Sequence, residues 1–233
     1  MSDTALSESP PATGSFSQQL WRGGAQTYAE ILRHPFLTGL TDGTLDRDAF
    51  RYFVIQDSHY LRAYARALSL VSARATDPDA VALFAAHASN AIAVEKDLHV
   101  SLLQGLGLTP DDVEREGSGP TTTAYTSYLL GVCGTGTYAE AVAAVLPCYW
   151  VYREVGRELL AASSPDPAYA EWIATYGSAE FDAVVESVLA VTDALGDDLG
   201  PSERRRCLEH FATTTRYEWM FWDAAYRQLT WPV

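Results

Sequence analysis

Residues 46–75 read DRDAFRYFVIQDSHYLRAYARALSLVSARA. Phe50, Phe53, Val54, Tyr60, Leu61, Tyr64 and Leu68 recur at the three- and four-residue spacing of an amphipathic helix, not at the alternation of a strand. The pattern predicts one long helix from about Asp46 to Ala75. Asp57 interrupts its apolar stripe, one turn from Phe53 and Tyr60. An ionised carboxylate facing a core is costly unless it is paired or hydrogen-bonded, so its position points to a polar feature inside the fold.

Helical periodicity extends outward in both directions, and strand signals are scarce. A first helix is expected over 17–33, stopping at His34-Pro35, and the segment from Thr38 to Thr44 reads as a turn because of Asp42-Gly43. Asp77-Pro78-Asp79 opens a helix that should reach about Leu106 and end at Gly107, with a loop from Leu108 to Gly119 after it. Two helices over 120–133 and 137–162 are split by Gly134 and Gly136, and Pro147 should kink the second. A short helix near 167–175, another over 179–195, and a last one from Gly200-Pro201-Ser202 to about Gln228 complete the chain. The expected fold is all-α: a single-domain helical bundle over residues 16–233, preceded by a polar, disordered tail over 1–15.

Two further stripes are interrupted in the same way. Ala144, Val145, Val151, Tyr152, Val155 and Leu159 share a face with Cys148, just after the proline. Phe211, Thr215, Trp222, Ala225 and Leu229 share one with Glu218. Tyrosines Tyr60, Tyr64 and Tyr152 lie on the inward faces, with Tyr125, Tyr128 and Tyr176 elsewhere in the chain; they offer hydroxyls for hydrogen bonds and rings for stacking. Together these residues suit a flat heteroaromatic ligand at the bundle centre. Each also has a plain structural reading. A buried cysteine often serves as a small hydrophobe, the carboxylates could pair with Arg62, Arg153 or Arg216, and the tyrosines could be core.

Composition narrows the function. The formal net charge is −14, and the only dense basic run, Arg204-Arg205-Arg206, is flanked by Glu203 and Glu209. Nucleic acid and anionic membrane are therefore poor partners. No apolar run approaches the ~18 residues of a membrane span. The N-terminus lacks the charged-then-apolar order of an export signal, and three cysteines without metal-site spacing read as free thiols, so a cytoplasmic setting is expected. Glu95 and His99 are four apart, but no matching carboxylate–histidine pair recurs on another helix, so no metal is expected; His87 and His99 read as surface or helix-packing residues.

The same residues carry a resemblance to the TenA/thiaminase II family. It runs from His34 to Tyr226 through HPF at 34–36, DGTL at 42–45, FVIQDSHYL at 53–61, AYTSY at 124–128, LPCYWVY at 146–152, W-x-x-TYG at 172–177 and YEWMFW at 217–222. The resemblance implies a haem oxygenase-like fold, a homotetramer, no cofactor, and hydrolysis of 4-amino-5-aminomethyl-2-methylpyrimidine to its hydroxymethyl counterpart in thiamin salvage, with slower cleavage of thiamin. It identifies Cys148 as nucleophile, Asp57 and Glu218 as site carboxylates, and Tyr60, Tyr125, Tyr152 and Tyr176 as substrate-binding residues. In the mechanism these suggest, Phe221 would line the ring slot beside Tyr152. Glu218 would shuttle protons and Asp57 would orient the aminopyrimidine edge. His59, where relatives often carry an aromatic, would adjust the pocket edge. Two other activities remain open: a cofactor-dependent oxidoreductase on the same scaffold, and a non-catalytic pyrimidine- or thiamin-binding protein.

Overall fold

The computed structural model describes residues 14–98 and 105–233. Ten helices are described in chain order: α1 (Phe16–Leu32), α2 (Pro35–Asp42), α3 (Arg47–Arg74), α4 (Pro78–Leu98), α5 (Pro110–Glu116), α6 (Pro120–Thr135), α7 (Tyr138–Leu160), α8 (Pro167–Tyr176), α9 (Ala179–Gly196) and α10 (Pro201–Arg227). Local chemistry sets their ends. Ser15 accepts from the Gln18 N–H to start α1, Asp46 caps α3, and Thr137 forms a reciprocal capping box with Glu140 on α7. The tail expected over 1–15 lies outside the described residues up to 13, while Ser15 caps the first helix.

Two segments differ from expectation. The stretch read as a turn is α2, which begins with His34 as cap and Pro35 at its first position; Asp42-Gly43 marks its end, where Gly43 takes the left-handed conformation at φ 74°. The loop expected over 108–119 contains α5, opened by a Thr109–Asp112 capping box. Both are about two turns long, too short for periodicity to reveal, and only their capping residues announce them. The expected continuation of α4 to Leu106 crosses residues outside the described set.

Helices α3, α7 and α10 form the centre. Helix α3 packs against α4, α6, α10 and α7, while α10 packs against α7, α1, α3 and α6. The largest fully buried side chains around them are aromatic: Phe36, Phe50, Phe53, Tyr125, Trp172, Phe211 and Trp222. Leu229, expected on the α10 stripe, lies past the Gln228 cap and is exposed. Among the described residues no helix is long and apolar enough to cross a membrane.

Candidate active site

One cavity of about 140 Å³ opens between α3, α4, α7, α8 and α9. From α3, Asp57, Tyr60 and Tyr64 enter it on successive turns of one face. Helix α7 contributes Cys148, Tyr149 and Tyr152, and α8 contributes Tyr176. Its outer wall is apolar, with Leu61, Leu68, Phe181 and Val184, and α4 adds His87, Asn90 and Ala91.

Asp57, Tyr60 and Tyr152 are nearly inaccessible to solvent. Cys148 keeps partial exposure because it faces this cavity, although protein surrounds it otherwise. Burial pushes its thiol well above the ordinary range; the charges of Glu218 and Asp57 push the same way, and the Tyr60 and Tyr64 hydroxyls oppose them. The resting sulfur is therefore a thiol, not a thiolate. Tyr64 donates to the Val145 carbonyl at 2.9 Å, and the Tyr149 hydroxyl lies 3.1 Å from His87 Nδ1.

Tyr125, Glu218 and Phe221 do not line the cavity; they sit directly behind its floor. The Tyr60 ring packs against Tyr125 and Phe221 with centroids 5.0 and 5.6 Å apart. Glu218 is 1% exposed and accepts a hydrogen bond from the Tyr125 hydroxyl at 2.5 Å. Its pKa is raised to about 8, chiefly by burial, with the Tyr125 bond lowering it and the Asp57 charge raising it. Burial thus favours the protonated form of Glu218 at neutral pH. Its charge, once formed, is felt by Cys148, Tyr60, Tyr152 and Tyr176, which places the carboxyl against the floor.

The arginines considered from the sequence as carboxylate partners make the following contacts among the described residues. Arg153, 4% exposed, donates to Glu154 and Glu186, and Arg157 pairs with Asp182 at 2.7 Å. These bonds tie α9 to α7 and so fix Phe181 and Val184 as cavity wall. Arg62 meets Glu114, and Arg216 is exposed. Gly156 of α7 lets the end of α8 come close: a Cβ there would sit 2.4 Å from the Tyr176 carbonyl carbon. This approach brings Tyr176 over the cavity, its ring centroid 4.8 Å from that of Tyr152.

One histidine reading is extended and one corrected. His87 packs against Phe84 and Tyr149, as a helix-packing residue would, and it also lines the cavity. His59, read as adjusting the pocket edge, turns away and meets the Val113 carbonyl at 3.1 Å, because adjacent helical positions point about 100° apart. The signal that could have found His87 is its spacing from Asn90 and Ala91, one turn along the same helix face. The Glu95–His99 pair falls on side chains outside those described; among the described residues no group of three or more metal-ligating side chains gathers.

The TENA/THI-4/PQQC family pattern matches residues 22–228. The aminopyrimidine aminohydrolase of Bacillus subtilis strain 168 is 35% identical over 216 residues, covering 93% of this chain and 92% of that protein. A TenA homologue from P. horikoshii OT3 superimposes with a TM-score of 0.84 at 30% identity, over 92% of this chain and 99% of that one. A Shewanella denitrificans OS217 domain described as having a heme oxygenase-like fold superimposes at 0.72 with 15% identity, covering 93% and 94% of the two chains, a likeness of fold alone. The chain belongs to the TENA/THI-4/PQQC family.

Proposed function

We propose that this protein is an aminopyrimidine aminohydrolase of the thiaminase II type, converting 4-amino-5-aminomethyl-2-methylpyrimidine to the hydroxymethyl pyrimidine and ammonia in thiamin salvage. One observation carries the reading: the Cys148 thiol opens onto the floor of an enclosed aromatic cavity beside Asp57, with a carboxylic acid of pKa about 8, Glu218, packed against that floor. The similarity to proteins named aminopyrimidine aminohydrolase supports it.

Direct displacement of an amine from a methylene carbon has a poor leaving group. Addition of Cys148 to the ring removes that obstacle. The sulfur bonds a ring carbon and the thiol proton passes to a ring nitrogen. The electron-rich ring then expels the amine, which takes the carbon–nitrogen electron pair and a proton that Glu218, behind the floor, supplies through one intervening water. Water adds to the exocyclic methylene left behind and returns a proton to Glu218. Loss of the ring N–H proton and of the carbon–sulfur bond regenerates the thiol. Asp57 accepts from the aminopyrimidine edge, while Tyr60, Tyr152 and Tyr176 confine the ring. Substrate-coupled proton transfer suits a thiol that is not ionised at rest.

The same reading carries a homotetramer in the cytoplasm, with light scattering as the check on assembly. Chromatography of the purified protein incubated with the aminomethyl pyrimidine tests the activity. Hydroxymethyl pyrimidine and ammonia in equal amounts are expected. Ligand retained without product, in folded protein, would overturn the enzyme reading in favour of a binding protein.

A further inference from the structure

The cavity changes character along its depth. Its floor, at Asp57, Tyr60 and Tyr152, is 3–4% exposed. Its mouth is formed by α4 and α9: Asn90 is exposed, and His87, Ala91, Phe181 and Val184 are half-buried. The whole space, lined by floor and mouth residues together, measures about 140 Å³, close to the dry cavity of about 150 Å³ that holds one benzene ring. A substrate with two rings must place the second in the mouth. The mouth is apolar at Ala91, Phe181 and Val184 but carries the Asn90 amide and the His87 imidazole, the mixture that fits a flat, partly polar heteroaromatic.

We infer that Asn90, His87 and Ala91 of α4, facing Phe181 and Val184 of α9, form a leaving-group subsite that sets which group attached to the pyrimidine methylene the enzyme accepts. The inference rests on the hydrolysis proposed above. Two substrates share the pyrimidine and differ only beyond its methylene. In the aminomethyl pyrimidine the leaving group is an amine that needs no second subsite. In thiamin it is a thiazolium ring bearing a methyl group and a hydroxyethyl arm. Cleavage breaks the methylene carbon–nitrogen bond, its electron pair leaves with the nitrogen to give neutral thiazole, water supplies the hydroxyl to carbon, and one proton goes to solvent. The Phe181 and Val184 face would hold the thiazole ring, and Asn90 or His87 would meet its hydroxyl. His87 is tied at Nδ1 to Tyr149, so the polar rim is held in place from α7.

The test is steady-state hydrolysis of both compounds by the full chain, unmutated and carrying Asn90→Ala or Ala91→Leu. The quantity read is kcat/KM for thiamin divided by kcat/KM for the aminomethyl pyrimidine. That ratio is expected to fall about tenfold in each variant, through a lost hydrogen bond in the first and lost space in the second. If unmutated protein cleaves only the aminomethyl pyrimidine, thiamin's competitive inhibition constant replaces its kcat/KM, with a tenfold weakening expected. An unaltered ratio or inhibition constant in both variants would overturn the subsite while leaving the hydrolase reading intact. Turnover of neither substrate by folded, unmutated protein would overturn both. Residual hydrolysis of the smaller substrate reports that each variant is folded.

Discussion

The Tyr125 hydroxyl donates to Glu218 Oε1 across 2.5 Å, joining α6 to α10 beneath the cavity floor. The bond favours the ionised carboxylate, yet burial outweighs it and holds Glu218 at about 8. If the protonated form is the working acid, kcat/KM should fall on the basic side with an apparent pKa near 8. Tyr125→Phe removes the donor that favours the anion, so this limb should move to higher pH. Glu218→Gln should abolish the limb and lower turnover by about 10²–10⁴-fold. A pH–rate profile of the three proteins decides it: a limb unmoved in Tyr125→Phe assigns the titration to another group.

The same shift makes stability depend on pH. In the unfolded chain Glu218 titrates near 4.5, whereas in the fold it titrates near 8, so between these values the folded state binds more protons. Stability should therefore decline as pH rises through this window, with a contribution from Glu218 on the order of 4 kcal/mol. Urea denaturation at pH 5 and pH 8 should show Glu218→Gln declining less than the unmutated protein. Parallel declines would mean that Glu218 is not the group responsible.

Thiol reactivity supplies a third check. Cys148 is held high by burial first and by Glu218 next, and Cys133 and Cys207 are pushed to about 12 by burial. Iodoacetamide should label all three slowly in native protein at pH 7. At pH 9, where Glu218 is ionised, Glu218→Gln should speed labelling of Cys148 severalfold and leave the other two unchanged, as peptide mass spectrometry would read. Cys148→Ser should cost turnover on the order of 10³-fold; near-normal activity would remove the nucleophile from the mechanism.

Gly156→Ala probes the seam between α7 and α8. The new Cβ would meet Tyr176 backbone at 2.4–2.6 Å and the Gly177 nitrogen at 2.7 Å, atoms that cannot swing aside. The variant should lose about 1–3 kcal/mol of stability. Displacement of Tyr176 should also raise KM for the pyrimidine. Thermal denaturation together with KM separates the two effects, and a variant as stable as the parent would show that α8 yields without cost.

Legibility in the sequence followed element length. Helices α3, α7 and α10 span 28, 23 and 27 residues, enough turns for a stripe and its interruptions at Asp57, Cys148 and Glu218 to stand out. Helices α2 and α5, with 8 and 7 residues, complete too few turns to show a period. His87 was hidden for another reason. It sits beside exposed Asn90 on α4, and a polar cavity mouth looks the same as a solvent face when only residue types are seen.

The sequence by itself determined the helical class and the inward direction of Asp57, Cys148 and Glu218, because periodicity is local and a helix presents residues three and four apart on one face. The tertiary structure alone decided which of these share a cavity. It set Asp57 and Cys148 on the floor, placed Glu218 behind it on Tyr125, 93 positions away, and brought α4 and α9 together as the mouth. Desolvation governs these outcomes. A carboxyl or thiol titrates according to what excludes water from it, and at this site the excluding groups come from helices far apart in the chain.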